Sequence, residues 1–285
     1  MATNINSTQK LFDHTFGCDF IEGVPHHPGV YEFLCEAGHT IYVGKAKDLR
    51  NRIGQYRNTR IDEDNGKVRR MLKTAVKLKY QLCETDLEAQ LLENSLIQKL
   101  KPRFNWSGTN YESYPCIGIK RICRGEWEFC STRHPDVFRE QGFRLFGSYR
   151  QKDLLTGCFA GLGLVFGLLG KRQMMPHTWY VGMPKRTEKL RIADLDGRWI
   201  ALFEQFLLGT STDFIANVAT SLLDCPAAIH RREEVQQALD AMRQFYRKEL
   251  AVSREIRRIN RYDRDFIPQH LRDRMHIVYR ASCDA

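Results

Sequence analysis

Three stretches in a fixed order constrain this chain most: "PGVY" ending at Tyr31, "IYVGKAKDLRNRI" from Ile41 to Ile53, and "LLENSLIQKLKPRFN" from Leu91 to Asn105. "GVYEFL" and "TIYVG" are apolar and aromatic runs of strand length. The segment between them, "CEAGH", carries a glycine suited to a hairpin turn, so the pair predicts two antiparallel strands. After Gly44, Leu49, Ile53 and Tyr56 recur at helical spacing while Lys45, Arg52 and their neighbours occupy the other faces, which predicts a basic helix leaving the hairpin. From Lys67 to Lys79 apolar Val68, Met71, Leu72, Ala75, Val76 and Leu78 alternate with cations, and "KYQLCE" then reads as a third strand. The strongest helix follows. Thr85 or Asp86 can cap it, and Glu88 stands three positions after Thr85 as in a capping box. Leu91, Leu92, Leu96, Ile97 and Leu100 form its buried stripe, and Pro102 ends it.

Residues 1–27 form an N-terminal extension in which Leu11, Phe16, Phe20 and Ile21 can make a short docking helix. Between Trp106 and Glu112 the composition turns to Gly, Asn, Ser and Tyr, which places a domain seam there. The expected organisation is therefore a first domain over 28–108 and a second over 109–285. In the second, "YPCIGIKRI" and "EWEFCSTR" read as strands, "RLFGSYRQ" as a turn, and Leu154 to Leu169 as a buried helix. That apolar run has about 16 residues and four glycines, short of the roughly 20 that span a bilayer. "WIALFEQFLLG" and a stretch from about Arg231 to Arg261 read as further helices, whereas 171–191 has no clear period. The fold class expected is α+β: a small antiparallel sheet flanked by helices, then a mixed, largely helical second domain.

Charge narrows the partners. Forty-four Lys and Arg against 34 Asp and Glu leave a formal +10, and such a balance favours polyanions through counterion release. The excess is concentrated: Lys45 to Lys79 holds 12 Lys and Arg and 4 Asp and Glu. A second basic stretch, Arg254 to Arg274, reads as an Arg-rich helix that could extend the track. Nine cysteines without a Cys-x-x-Cys pair or a secretory start suggest reduced thiols and a cytoplasmic location. No membrane partner is expected.

Two tyrosines on neighbouring strands, a lysine and two arginines just beyond them, and one glutamate on a later helix suit the hydrolysis of a phosphodiester. That reaction needs an attacking water to lose its proton, charge on the phosphoryl oxygens to be offset and the leaving oxygen to be stabilised. A tyrosine beside cations can be tuned toward use as a general base, and Tyr42, with Lys45 close in sequence, fits that role. Lys45 either acts on Tyr42 or meets the phosphate directly. Glu93, between Leu91 and Leu92 on one side and Leu96 and Ile97 on the other, lies near a core edge. A partly buried carboxylate there needs a partner, and one Mg²⁺ or Mn²⁺ ion would serve.

The ordered motif resembles the GIY-YIG nuclease family, with "GVY" and "YVG" standing for the two halves of its name. Within it, "VGKAKDLRNR" and "LLENSLIQKLKPRFN" are similar to the excision-repair branch, the UvrC N-terminal nuclease domain and Cho-type endonucleases. The resemblance covers about Pro28 to Asn105. It implies Tyr42 as base, with Tyr31 helping to hold the water, Arg52 as the catalytic arginine and Glu93 as the single acidic metal ligand. Arg50 and Lys47 would be surface contacts to the substrate. Tyr56 matches a family aromatic and is otherwise helix packing. Asn105 matches a closing asparagine at the site edge and is otherwise a cap on the chain after Pro102.

The second half resembles the same branch more weakly, through "RLFGSYR" and "FEQFLLG". It lacks the cysteine cluster that ligates an iron-sulfur centre in UvrC, so no such cluster is expected. Neither a second nuclease nor a UvrB-binding helix pair is evident. The resemblance then implies a single incision on the 3′ side of damage in duplex DNA, with UvrB an open partner. A mobile-element nuclease, one acting on branched or single-stranded DNA, and a silent DNA-binding module remain the alternatives.

Overall fold

The structure, a computed structural model, describes residues 7–58, 66–105, 114–174 and 182–284. The chain divides into two compact units, Met1–Tyr111 with Cys283–Ala285, and Glu112–Ser282.

The first unit runs α1 (Ser7–Phe16), β1 (Gly29–Leu34), β2 (Thr40–Ala46), α2 (Leu49–Asn58), α3 (Gly66–Thr74), β3 (Lys77–Leu82) and α4 (Asp86–Leu100). Its three strands are antiparallel in the order β2-β1-β3. The two-residue period of β1 divides the core between the sheet faces. Tyr31 and Phe33 face one way and pack with Phe12 of α1, Leu49, Ile53 and Tyr56 of α2, and Met71 and Leu72 of α3. Val30 faces the other way and packs with Val43, Cys83 and the α4 residues Ala89 and Ile97.

The helix spacing read around Leu49, Ile53 and Tyr56 corresponds to α2, and all three are buried. Other expectations need correction. The third strand starts at Lys77, two residues earlier than "KYQLCE" suggested. The stripe on α4 is only half covered: Ile97 is buried, Leu91, Leu92 and Leu96 are partly so, and Leu100 is 41% exposed. Thr85 is the N-cap and accepts from Glu88 N–H, but the Glu88 carboxylate returns to Glu84 N–H rather than to that of Thr85. The box is therefore displaced by one residue, because Glu88 reaches past the cap to the free donor before it.

The second unit contains β4 (Cys116–Cys123), β5 (Glu126–Thr132), α5 (Pro135–Glu140), β6 (Arg144–Phe146), α6 (Lys152–Leu169), β7 (Lys171–Arg172), β8 (Glu188–Ala193), α7 (Gly197–Leu207), α8 (Asp213–Leu222), α9 (Pro226–His230), α10 (Arg232–Phe245), a π-helical turn at Tyr246–Leu250, α11 (Ala251–Ile259) and α12 (Gln269–Cys283). Five strands form one antiparallel sheet in the order β6-β4-β5-β8-β7. Apolar α6 lies on it with Phe166 against Phe129, and Gly161 lets α10 approach so closely that a Cβ there would press on Ala238. "RLFGSYRQ" is thus not simply a turn: Arg144–Phe146 pairs with β4, and only then does Gly147, at φ 77°, reverse the chain. A side chain at Gly147 would collide with the Tyr149 ring. The segment 171–191 holds β7 and the start of β8, while 175–181 and the expected seam at 106–112 lie outside the described residues.

The second basic stretch is not one helix. It breaks at Asn260, between α11 and α12, and two of its arginines serve the fold. Arg257 donates to the Leu208 carbonyl at 2.6 Å. Arg272, 1% exposed, donates to Ser148 O at 2.7 Å and meets Glu249 at 3.4 Å and Ser253 at 3.3 Å.

Candidate active site

The site is built around the end of β2, where α2 begins and α4 crosses. Cross-strand pairing sets Tyr31 opposite Gly44 and Phe33 opposite Tyr42. A Cβ at Gly44 would run into the Tyr31 hydroxyl, so the glycine of "YVG" leaves the space that the tyrosine fills. Tyr42 sits one step along on the same face, its ring 6.2 Å from that of Tyr31. The half-turn "KD" after β2 redirects the chain into α2, whose N-terminus is capped by Asp48 accepting from Asn51 N–H at 2.9 Å.

Helical spacing then brings Arg52 and Tyr56 back over the strands. The hydroxyls of Tyr31 and Tyr56 share a hydrogen bond of 2.8 Å, and Arg52 Nε donates to Tyr31 Oη at 3.3 Å. The Arg52 guanidinium also lies 5.6 Å from the centre of the Tyr56 ring. Burial, and after it the neighbouring tyrosines, push the hydroxyls of Tyr31 and Tyr56 well above the usual phenol range. Both are therefore protonated donors at neutral pH. Tyr42 is the member of the trio that is only partly buried.

Glu93 comes from α4. Its Oε1 accepts Lys45 N–H at 3.0 Å, and Oε2 takes no hydrogen bond among the described residues. Burial raises its pKa above the ordinary carboxylate value, against the lowering effects of the Lys45 N–H, the Lys45 ammonium and Arg52. Arg52 thus acts electrostatically on both the tyrosine pair and Glu93, which joins the two halves of the site. Among the described residues no cluster of three or more His, Cys, Asp or Glu could hold a metal. The donor set here is one carboxylate with an open oxygen. It suits a hard divalent cation that keeps most of its waters, and a cation would relieve the cost of the buried charge.

The structure settles where the remaining candidates lie. Lys45 Nζ pairs with Asp86 Oδ1 at 2.6 Å, so its ammonium faces α4 instead of reaching directly for Tyr42. Arg50 is turned away from the site: Nη2 donates to Glu22 O at 2.6 Å and Nε to Val24 O, tying the segment before β1 to α2. Lys47 is exposed just beyond β2. Asn105 holds both backbone groups of Val43, accepting from its N–H at 2.9 Å and donating to its carbonyl at 2.8 Å. With Phe104 N–H on Ile41 O at 3.0 Å, it closes the outer edge of β2.

Two residues escaped the sequence reading. Asp86 orients Lys45, and its signal was available, since positions seven apart share a helix face and Asp86 precedes Glu93 by that interval. Lys67 stands over the Tyr42 ring at 5.8 Å. No local pattern marked it, because that contact depends on how α3 packs.

Residues 27–106 match the family model of the UvrC-like GIY-YIG domain. UvrABC system protein C of Bartonella henselae is 38% identical over 143 residues, which cover 48% of this chain and 20% of that protein. The protein of the same description from Idiomarina loihiensis is 39% identical over 136 residues, covering 48% and 20% respectively. The chain therefore spans 20% of the length of these curated relatives. Among solved structures, the GIY-YIG N-terminal endonuclease domain of UvrC from Thermotoga maritima, described as bound to its catalytic divalent cation, magnesium, is 40% identical. It covers 30% of this chain and 90% of its own, with a TM-score of 0.27.

Proposed function

We propose, from the match of residues 27–106 to the UvrC-like GIY-YIG family model, a metal-dependent endonuclease of nucleotide excision repair. It cuts one DNA strand by phosphodiester hydrolysis, once, on the 3′ side of a lesion in duplex DNA. The observation that carries this reading is the convergence of Tyr31, Tyr42, Tyr56, Arg52 and the open carboxylate of Glu93 around β2.

Each side chain has a task. Tyr42, accessible and beneath Lys67, takes the proton of the attacking water. Tyr31, its hydroxyl bonded to that of Tyr56, accepts from Arg52 Nε and so fixes the Arg52 fork, which clamps phosphate oxygens as charge builds on them. Asp86 holds the Lys45 ammonium in place, and Lys45 N–H aims the Glu93 carboxylate. Mg²⁺ or Mn²⁺ held by Glu93 would offset charge on the phosphoryl oxygens and the leaving group. Lys47 is a further contact to the DNA backbone.

The same reading takes damaged duplex as substrate and no iron-sulfur centre, and it leaves UvrB as the candidate protein partner.

End-labelled duplex bearing one bulky adduct, incubated in Mg²⁺ or Mn²⁺ with and without UvrB, tests the proposal. One cut on the 3′ side is the expected product. Equal cutting of intact duplex or flaps would replace the repair assignment with a mobile-element or branched-DNA nuclease. No cutting in either metal would leave a DNA-binding module.

A further inference from the structure

Beside the tyrosines lies a groove of about 430 Å³ lined by Lys67, Arg70, Lys73, Thr74, Arg103 and Phe104. Its floor is one stripe of α3. Lys67, Arg70 and Lys73 follow at intervals of three residues, so their attachment points advance by about 4.5 Å along the helix at each step. Among the described residues none of these three cations is paired with a carboxylate, and α3 contains no acidic residue. The stripe begins at the reaction centre, because Lys67 is the residue over the Tyr42 ring at 5.8 Å.

The other wall is different in kind. The Arg103 guanidinium lies over the Phe104 ring at 4.8 Å, and its Nη2 donates to Thr74 Oγ1 at 3.0 Å, which bridges the two walls. Phe104 is anchored by its N–H on Ile41 O at 3.0 Å. The result is a planar cation, backed by an aromatic ring and exposed on its outer side. A rail of cations along one wall and a stacking plane on the other is the pairing used to hold unpaired nucleic acid, because a stacked base inside a duplex cannot present its face.

We propose that this groove binds an unpaired stretch of the strand flanking the scissile phosphate, with phosphates along Lys67, Arg70 and Lys73 and one base stacked on Arg103. The assignment deepens the nuclease reading and rests on it for the position of the scissile phosphate. It implies that the substrate is opened next to the cut, not engaged as uniform duplex.

The test measures binding of the full chain, in chelator and so without cutting, to fluorescent oligothymidylate and to a duplex of equal length across a salt series. Arg70→Glu combined with Lys73→Glu is expected to weaken single-strand binding and to flatten its log-log salt slope by about 1.4, from roughly 0.7 for each phosphate. Arg103→Lys keeps the charge and removes the plane. It is expected to weaken single-strand binding by roughly 5- to 150-fold, the range for one lost base stack, with the slope retained. Thermal unfolding confirms that these surface variants fold.

Unchanged single-strand affinity and slope in both variants would overturn the proposal. So would an equal fractional loss on duplex, which would make the groove a duplex backbone contact. Glu93→Gln, assayed in parallel for cutting and for binding, separates the two readings. A chain that never cuts yet shows these losses keeps the groove and loses the nuclease, whereas one that cuts and shows none keeps the nuclease and loses the groove.

Discussion

The two basic stretches of this chain look alike in sequence and are used in opposite ways. In the first unit, α3 carries Lys67, Arg69, Arg70 and Lys73 on the surface beside the tyrosine cluster. In the second, Arg257 and Arg272 turn inward, and Arg272 is fully sequestered with Glu249, Ser253 and the Ser148 carbonyl. Composition reports how many cations a segment has and nothing about which way they point. What distinguishes the stretches is their company: Met71 and Leu72 fix one face of α3 and leave the cations the other, whereas the arginines of α11 and α12 share their turns with buried Ser253, Ile256 and Met275.

The sharpest test of that contrast is stability. Arg272→Ala strands the buried Glu249 carboxylate and should cost about 3–5 kcal/mol in denaturant unfolding, the usual penalty for breaking a buried pair. Arg70→Ala should stay within about 0.5 kcal/mol, as surface changes do. Similar losses in both would erase the distinction.

Next in size is chemistry. Glu93→Ala should lower the cutting rate by about 10²–10³-fold, the scale of losing one preorganised charge-stabilising group. Its DNA affinity in chelator should match the wild type, and a parallel fall in affinity would make Glu93 a binding residue. A smaller effect is expected at Tyr31→Phe, where loss of the hydroxyl shared with Tyr56 should cost about 1 kcal/mol of stability. Cutting should fall as well, since Arg52 loses its guide.

The smallest effect concerns pH and has a definite sign. Burial raises the Glu93 pKa above its ordinary 4.5. A raised folded pKa gives stability that is fully present below the unfolded value and is lost as pH rises through the folded one. The metal-free Glu93→Gln variant should therefore unfold at a higher temperature than wild type at neutral pH. The gap should close below pH 4.5 and narrow when Mg²⁺ is added to the wild type. A variant less stable at neutral pH would show that the Lys45 N–H bond outweighs desolvation.

Legibility in the sequence followed the range of the interactions. The β1-β2 hairpin and α2 could be read because alternation, a turn glycine and a three-to-four residue period are local signals, and each agreed with its neighbours. Strand β6 was missed because three residues carry no period, and the glycine that follows dominated the reading. Strand β8 alternates through Leu190 and Ile192, but it stands after a stretch without any pattern. The exposure of Leu100 was hidden for another reason: helical phase predicts a stripe, while the sheet beneath α4 decides how much of that stripe is covered. At the site, the order of the motif brought Tyr31, Tyr42, Arg52 and Glu93 into view. Their neighbours lie far off along the chain: Asp86, in helical phase with Glu93, meets Lys45 across 41 residues, and Lys67 reaches the Tyr42 ring across 25 only through the packing of α3. Arg50 shows the converse, a cation beside the motif whose work is to hold the backbone at Glu22 and Val24.

The grip of Asn105 on Val43 bears on where the first unit can be cut. β2 is an edge strand, and an edge with unsatisfied backbone groups invites pairing with another chain. The amide of one side chain stands in for a fourth strand at that point, and Phe104 N–H continues the cover at Ile41. A polypeptide truncated at Leu100, where the last helix of the unit ends, would retain all three tyrosines, Arg52 and Glu93. It would also uncover the strand that carries Tyr42, making self-association, rather than unfolding, the first symptom of a unit trimmed too short.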